Sequence, residues 1–472
     1  MKIPLISGAY VAKSLIANAQ RCVNLYPEQN PSDSPFPSTH YMVPGEVLAL
    51  TLPSSGCRCL YRASNGVLYA VFGMDVYRID RDMSYKKIGA LNSVKSQVCM
   101  RDNGTDLAIV DGTPDGFWIH LEDDSFTKIA DDGFYGANRV DVIDGFLVFN
   151  RPDTTQFYIT GDFATTFDAL DFASKTGAPD TLVVAVVTKH YIYLLGELTT
   201  EVWIITDDQD FPFARLPGAF IEHGIAAKSS AAVMDGSVYW LSMDPQGFGM
   251  VMRTDTFDAK RISTHAIEVE FQKYPRIDDA IAFTQQIGGH LFYVLNFPTA
   301  DKTWAFDLAS NQWHEREWID ANGVAHRARG SQFVAWNDGQ YVGDWENGNL
   351  YRLDPKVTNF NGSPIRCIRS FPHLTVDGNR VFYREFIADM QVGDGLAATF
   401  TQPDVRLRWS DDRGMTFGNR VVGSLGGRGD YLMSVQYQRL GYARDRVFEL
   451  EFSSDSPTAL NGAYVQASPA AQ

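Results

Sequence analysis

An all-β fold is the class this sequence predicts: a β-propeller of six or seven blades, an extended N-terminal arm, and a C-terminal β-sandwich or barrel-like domain. Three observations predict it. Hydrophobic residues make up 45% of the 472 and aromatics 13%, with 30 Phe, 21 Tyr and 9 Trp, which suits pleated, half-buried strands better than helical bundles. From about Cys57 to Pro355, polar turns rich in Asp and Gly alternate with short aromatic or β-branched runs. From about Lys356 the pattern changes to longer alternating strands. These shifts place an arm and first strand at 1–56, a propeller at 57–355 and a terminal β domain at 356–472.

The arm is inferred from NLYPEQNPSDSPFPSTHYMVPG (Asn24 to Gly45), with prolines at 27, 31, 35, 37 and 44. That density forbids regular helix and favours extended chain. Upstream, MKIPLISGAYVAKSLIANAQ carries a lysine and an Ala-x-Ala at Ala17 to Ala19, as a secretory leader does. Pro4, Ser7, Gly8 and Lys13 interrupt the apolar run a leader needs, so the segment is read as mature chain. No unbroken apolar stretch approaches about eighteen residues, so a soluble protein without a transmembrane helix is expected.

The propeller rests on seven units. They are SNGVLYAVFGMDVYRID (Ser64 to Asp80), NGTDLAIVDGTPDGFWIH (Asn103 to His120), DVIDGFLVFNRPDTTQFYIT (Asp141 to Thr160) and TKHYIYLLGELTTEVWIIT (Thr188 to Thr206). The others are MDGSVYWLSMDPQGFGMVMRT (Met234 to Thr254), IGGHLFYVLNFPTADKTWAFDLASNQW (Ile287 to Trp313) and NDGQYVGDWENGNLYRLD (Asn337 to Asp354). Each reads as a hairpin, and their spacing of about 35 to 50 residues is that of propeller blades. Blades closing into a ring would hide most strand edges. In the last unit, Glu346-Asn347-Gly348-Asn349 holds the Asn-Gly of a tight reversal.

The terminal domain is drawn from RVFYREFIADMQVG, DVRLRWSDD, YLMSVQYQRLGYARDRVFELEFSSD and AYVQA, and ends in a fraying ASPAAQ. Inside it lies WSDDRGMTFG, Trp409 to Gly418. In Ser410-x-Asp412-x-Gly414-x-Thr416-Phe417, the Asp412 carboxylate can accept turn amides, Gly414 can take positive φ, and Phe417 can pin the turn onto a core. The pattern resembles the Asp-box, a turn between outer blade strands in sialidases and many unrelated proteins. A weaker copy is expected at Thr160-x-Asp162-x-Ala164-x-Thr166-Phe167, where Ala164 replaces the glycine. A turn shared by many chemistries predicts a fold and no reaction.

Formal charge is 41 minus 57, or −16, with a pI near 5.0. Such a molecule should repel phosphate backbones and anionic membranes as a whole, while offering DNA a surface past which to slide. Five cysteines, Cys22, Cys57, Cys59, Cys99 and Cys367, are few and odd in number, against a disulfide scaffold and for a reducing compartment. Cys57-Arg58-Cys59 should put two sulfurs on one strand face, but no second Cys or His pair follows at zinc-finger spacing.

A glycosidase needs two carboxylates roughly 5 to 9.5 Å apart, which linear sequence cannot exclude among 57 acidic residues. A carbohydrate-active, sialidase-like propeller is therefore the alternative, with a passive receptor-binding propeller as a third reading. Against an enzyme, the Asp-box falls in the terminal domain and not in successive blades. No Gly-x-Ser-x-Gly or His-Glu-x-x-His occurs. GSLGGRGD (Gly423 to Asp430) lacks the Lys-Ser/Thr of a phosphate loop, and its Arg428-Gly429-Asp430 is a cell-adhesion tripeptide of the kind chance supplies. His314, beside Trp313, is expected to cap a blade strand. Asp207-Asp208-Gln209-Asp210 lacks the glycine and distal glutamate of a calcium loop. No catalytic, cofactor-binding or metal-ligating residue is therefore expected.

Several stretches together are similar to one family, the packaged-DNA stabilisation proteins, or tail hub and nozzle subunits, of short-tailed bacteriophages. AQRCVNLYPE (Ala19 to Glu28) and YMVPGE (Tyr41 to Glu46) resemble its opening. TTFDALDFASKTGAPD (Thr165 to Asp180), LLGELTTEVWIIT (Leu194 to Thr206), FARLPGAFIEHGIAAKSSAAVMDGSVYWLS (Phe213 to Ser242) and RISTHAIE (Arg261 to Glu268) resemble its centre. LRWSDDRGMTFGNR and YQRLGYARDRVFELEF resemble its close. The likeness covers most of the chain, and the order of the motifs carries it. It implies a virion tail component, assembled in the host cytoplasm as a homo-hexamer beneath the portal and head-completion adaptor ring. Such a hub would extend the exit channel, retain packaged DNA without sequence-specific binding, and carry the tail needle and tailspikes.

Overall fold

The computed structural model describes residues 1–94, 96–208, 211–392, 404–426 and 429–469. Asp-, Asn- and Gly-rich turns reverse the first hairpin of every blade but the fourth, which turns on Lys189-His190 with Lys189 at φ 56°. Asp144-Gly145, Asp235-Gly236, Gly288-Gly289 and Asn337-Asp338 each hold two successive residues at positive φ, the geometry whose twist matches a two-residue hairpin. Between such turns the alternating runs form antiparallel four-stranded sheets. Blade one comprises Cys57–Arg62, Leu68–Phe72, Asp75–Ile79 and Tyr85–Ala90. Blades two to five occupy 99–128, 140–174, 182–221 and 232–261, and blade six takes 281–319.

Blade seven draws three strands from 330–354 and its fourth, Gly45–Thr51, from the other end of the chain. That strand runs antiparallel to Asn349–Asp354, with Glu46 opposite Leu353. Gly330–Trp336, the inner strand of blade seven, packs on Cys57–Arg62 of blade one, so the described residues close a ring of seven blades.

Apolar side chains fill the wedges between blades, where each sheet buries a face against the next. Leu60, Phe72, Trp336 and Tyr341 cluster between blades seven and one, and Tyr69, Val71, Met100 and Ile109 between one and two. The two sulfurs of Cys57-Arg58-Cys59 separate here, against expectation. The pairing register shifts between Cys57 and Cys59, and this irregularity sends Cys57 to the first cluster and Cys59 to the second. All five cysteines are free thiols. Burial pushes the Cys59 thiol up to about 12.

The terminal unit is a pair of facing sheets. One runs through Val435–Ala443, Val381–Met390, Ala459–Pro469, Ser38–Met42 and Leu25–Gln29, with Lys2–Pro4 also on Ala459–Pro469. The other contains Cys367–Ser370, Asp445–Phe452, Asp404–Ser410 and Val421–Ser424. Phe371, Phe386, Phe448 and Leu450 are buried between them.

The first 56 residues, read from their prolines as an extended arm and first strand, run as short strands through the fold. They are woven into both units of their own chain: Pro27 sits in a strand opposite His40, Lys2–Pro4 pairs with the last strand, and Gly45–Thr51 completes blade seven. Proline at the edge of a ladder leaves this pairing intact because its missing N–H can face outward. One α-helix, His265–Phe271, is present among the described residues, and its N-cap Thr264 accepts from the Ile267 amide.

Candidate functional site

The WSDDRGMTFG turn is built by side chains bonding to their own loop. Ser410 Oγ donates to Asp412 Oδ1 at 2.6 Å and accepts from the Gly414 amide at 2.8 Å. Asp412 Oδ1 accepts the Thr416 amide at 2.8 Å, and Oδ2 accepts the Thr416 hydroxyl at 2.5 Å. Those donors, Ser410 first, hold the Asp412 carboxyl down at about 2. Gly414 has φ +89°, and a Cβ there would lie 2.8 Å from that of Ala19. Phe417 departs from its expected role. It is only half-buried, and its ring lies 4.7 Å beneath the Arg408 guanidinium instead of in the core.

The anchor is the neighbouring residue. Asp411 takes a two-pronged bond from Arg446, at 2.6 and 2.8 Å. Arg446 is itself buried against the rings of Tyr383, Trp409 and Phe448. The paired acids therefore divide the work: Asp411 ties the turn inward and Asp412 shapes it. In the weaker copy the assignments invert. Phe167 is buried with Trp118, Phe149 and Tyr158, while the loop closes through backbone bonds, Gly161 N to Thr166 O at 3.3 Å and Ala164 N to Gly161 O at 3.1 Å. Positive φ falls on Phe163 and not on Ala164.

The second concentration of polar side chains is the seam between propeller and sandwich. Cys22–Val23 is a two-residue strand, parallel to Gln312–Ile319 of blade six at Val23 opposite Glu315, and antiparallel to Cys367–Ser370 at Val23 opposite Ile368. It splices both units into one eleven-stranded sheet. Next to it Asn24, fully buried at φ 53°, donates Nδ2 to the carbonyls of Glu317 and Arg366, each at 2.9 Å. Its Oδ1 accepts the Glu317 amide at 3.1 Å.

Around this bridge the charges are caged. Arg369, fully buried, donates Nη1 to the carbonyls of Arg21 and Ser370 at 3.0 Å and Nη2 to Gln20 Oε1 at 3.0 Å. Arg366 bonds Glu317 at 2.6 and 2.9 Å. Arg316 donates Nη1 to Gln285 at 2.5 Å and Nε to His314 Nε2 at 3.1 Å, and burial draws it down to about 10. His314 therefore caps nothing. It lies within the outer strand of blade six, wholly buried, and burial beside Arg316 keeps it neutral, well below the usual imidazole range.

A small cavity of about 40 Å³ opens beside Asn24 and is bordered by Glu46, Arg316 and Arg329. Burial, reinforced by Asp344, pushes the Glu46 carboxyl up to about 8, with Arg329 and Arg316 opposing.

No group of three or more His, Cys, Asp or Glu suited to a metal occurs among the described residues. The acidic turn Asp207 to Asp210 and the segment Gly423 to Asp430 fall partly outside them, at 209–210 and 427–428. Among the described residues no helix is long and apolar enough to cross a membrane. The family resemblance marks Ala19 to Glu28, and proline density marks Asn24 to Gly45, without showing the partners of either. No local signal marks Asn24, Arg369 or Arg446, and the one available clue was the doubled aspartate at 411–412.

Two family models match the chain. One, described as Bacteriophage P22 Gp10, beta-propeller, covers residues 1–358, and the other, Bacteriophage P22 Gp10, beta-sandwich, covers 367–468. No individually curated protein matches. Among solved structures, the extracellular domain of the one component system BT4673 from B. thetaiotaomicron is 10% identical with a TM-score of 0.44, over 80% of this chain and 47% of that one. The chain thus spans about half the length of that protein. U3-55K is 8% identical at TM-score 0.42, over 66% of this chain and 99% of its own. The WD40 beta propeller domain of Doa1 is 10% identical at 0.41, over 66% and 96%. Likenesses this remote say nothing of function.

Proposed function

The chain belongs to the Bacteriophage P22 Gp10 family, a phage structural protein and so a virion component, and from that membership we propose that it is the tail hub, or nozzle, of a short-tailed phage. In this role it assembles as a homo-hexamer beneath the head-completion adaptor, prolongs the portal exit channel, retains the packaged genome, and supports needle and tailspikes. It carries out no reaction.

The observation that carries the proposal is the continuous eleven-stranded sheet through Cys22–Val23. A conduit under the pressure of packaged DNA needs subunits whose two parts cannot hinge, and a shared sheet resists bending where a linker would yield. Net charge of −16 fits a surface that DNA passes without adhering, and a closed cyclic ring is the commonest way identical subunits enclose a channel. The glycosidase alternative is disfavoured by the charges lining the propeller's bore, which are cations where facing carboxylates are required.

Native mass spectrometry and electron microscopy of the purified protein, mixed with its phage's head-completion adaptor, test the reading. A stoichiometric ring of six on the adaptor is expected. Monomers that never join the adaptor would overturn it, as would glycan turnover abolished by a carboxylate substitution.

A further inference from the structure

The bore of the propeller carries charge opposite to that of the whole molecule. It is a cavity of about 400 Å³ bounded by the inner strands of blades one, two, five, six and seven and by the segment entering blade three. Arg62, Arg101, Arg139 and Lys228 line it, and among the described residues no aspartate or glutamate does. In a chain with 57 acidic and 41 basic residues, that segregation needs a reason.

The nearest counter-charge sits behind the wall. Asp141, 5% exposed, pairs with Arg101 Nε at 3.0 Å and Arg139 Nη2 at 3.4 Å, and accepts the Val187 amide at 3.1 Å. Its oxygens are thereby committed, and it offsets one cation of four. Among the described residues, Lys228 Nζ donates to one partner, the neutral Asn138 Oδ1, at 3.1 Å. Arg139 Nε is buried without a hydrogen-bond partner among the described residues, and Arg62 is exposed. Positive groups facing one another across a partly enclosed space raise each other's energy, and an anion between them lowers it.

We propose that the bore binds a small multivalent phosphate anion, held by Lys228, Arg139, Arg101 and Arg62. Its volume matches small-molecule pockets, which span about 300–1,000 Å³, and leaves no room for a nucleic-acid helix. The cations are spread along the bore: Lys228 and Arg139 precede the inner strands of blades five and three, Arg101 lies within that of blade two, and Arg62 ends that of blade one. An elongated anion spans them better than a single phosphate. This binding goes beyond the tail-hub reading and does not rest on it.

Isothermal titration of the full chain with inorganic pyrophosphate, at constant ionic strength, is the test. One site per chain is expected, with sulfate and orthophosphate at least tenfold weaker. The double variant Arg62→Gln/Lys228→Gln should weaken binding at least tenfold with an unchanged melting temperature, because neither side chain makes an ion pair among the described residues. Lys260→Gln, an exposed lysine outside the bore, should bind as the parent does. Absence of a saturable heat, equal binding of sulfate, orthophosphate and pyrophosphate, or a double variant with parental affinity would each overturn the proposal.

Discussion

Asn24→Ala is the sharpest test of the seam. The substitution removes three hydrogen bonds of 2.9, 2.9 and 3.1 Å and strands the carbonyls of Glu317 and Arg366 and the amide of Glu317. Each stranded buried group costs about 1–3 kcal/mol. The lower half of that range applies, since a carbonyl keeps a second lone pair and the adjoining cavity of about 40 Å³ can admit a water. Alanine at φ 53° adds about 1 kcal/mol, because its Cβ crowds the following carbonyl where asparagine is better tolerated. The expected loss is about 4–7 kcal/mol, a large share of typical domain stability. Urea denaturation followed by tryptophan fluorescence measures it, and calorimetry asks whether the units unfold together. The parent should melt in one transition, and the variant in two as the sandwich uncouples from the propeller. Asn24→Gly, free of the backbone penalty, should lie about 1 kcal/mol above Asn24→Ala. A single transition in Asn24→Ala, with stability within about 1 kcal/mol of the parent, would refute the splice as a source of rigidity.

Gly343→Ala should lower the melting temperature, since the new Cβ would collide with Cys57 Sγ where blade seven meets blade one; overpacking of this kind costs about 1–3 kcal/mol, and a scanning-fluorimetry melt reads it. Asp412→Ala should also lower the melting temperature at pH 7. Because the folded carboxyl is depressed from 3.8 to about 2, its contribution is present above about pH 4 and fades as pH falls through 2, so the parent-variant gap should close there. Glu46→Gln should act in the opposite sense. Its folded carboxyl is raised from 4.5 to about 8, so the parent loses stability as pH climbs between those values. The variant should gain on the parent over that window and match it at pH 4, as paired melts across pH will show.

Much of the propeller was readable in the chain. Each of the seven hairpin units falls inside one blade, because a two-residue reversal depends only on the residues at the turn and on alternation beside it. The Ser410-x-Asp412-x-Gly414-x-Thr416 loop was readable for the same reason: all its bonds close within four residues. Phe417 and Phe167 show where that reasoning stops. An aromatic at a fixed offset from a turn is buried only if a neighbouring blade supplies a wall, as Trp118 and Phe149 do for Phe167. Cys57 and Cys59 were separated by a one-residue slip in register, which period-two counting does not foresee.

Composition and local pattern by themselves determined that this chain makes twisted antiparallel sheets, where its hairpins turn, and that one loop is knotted by its own acid. The tertiary structure alone decided that Gly45–Thr51 would complete a blade whose other strands begin at Gly330, that Val23 would splice blade six to Ile368, and that four cations would face one bore. The division follows from range. A turn is decided by the torsions and bonds of adjacent residues, whereas partners some 300 positions apart are chosen by how seven wedges close into a ring and which edge remains open when they do.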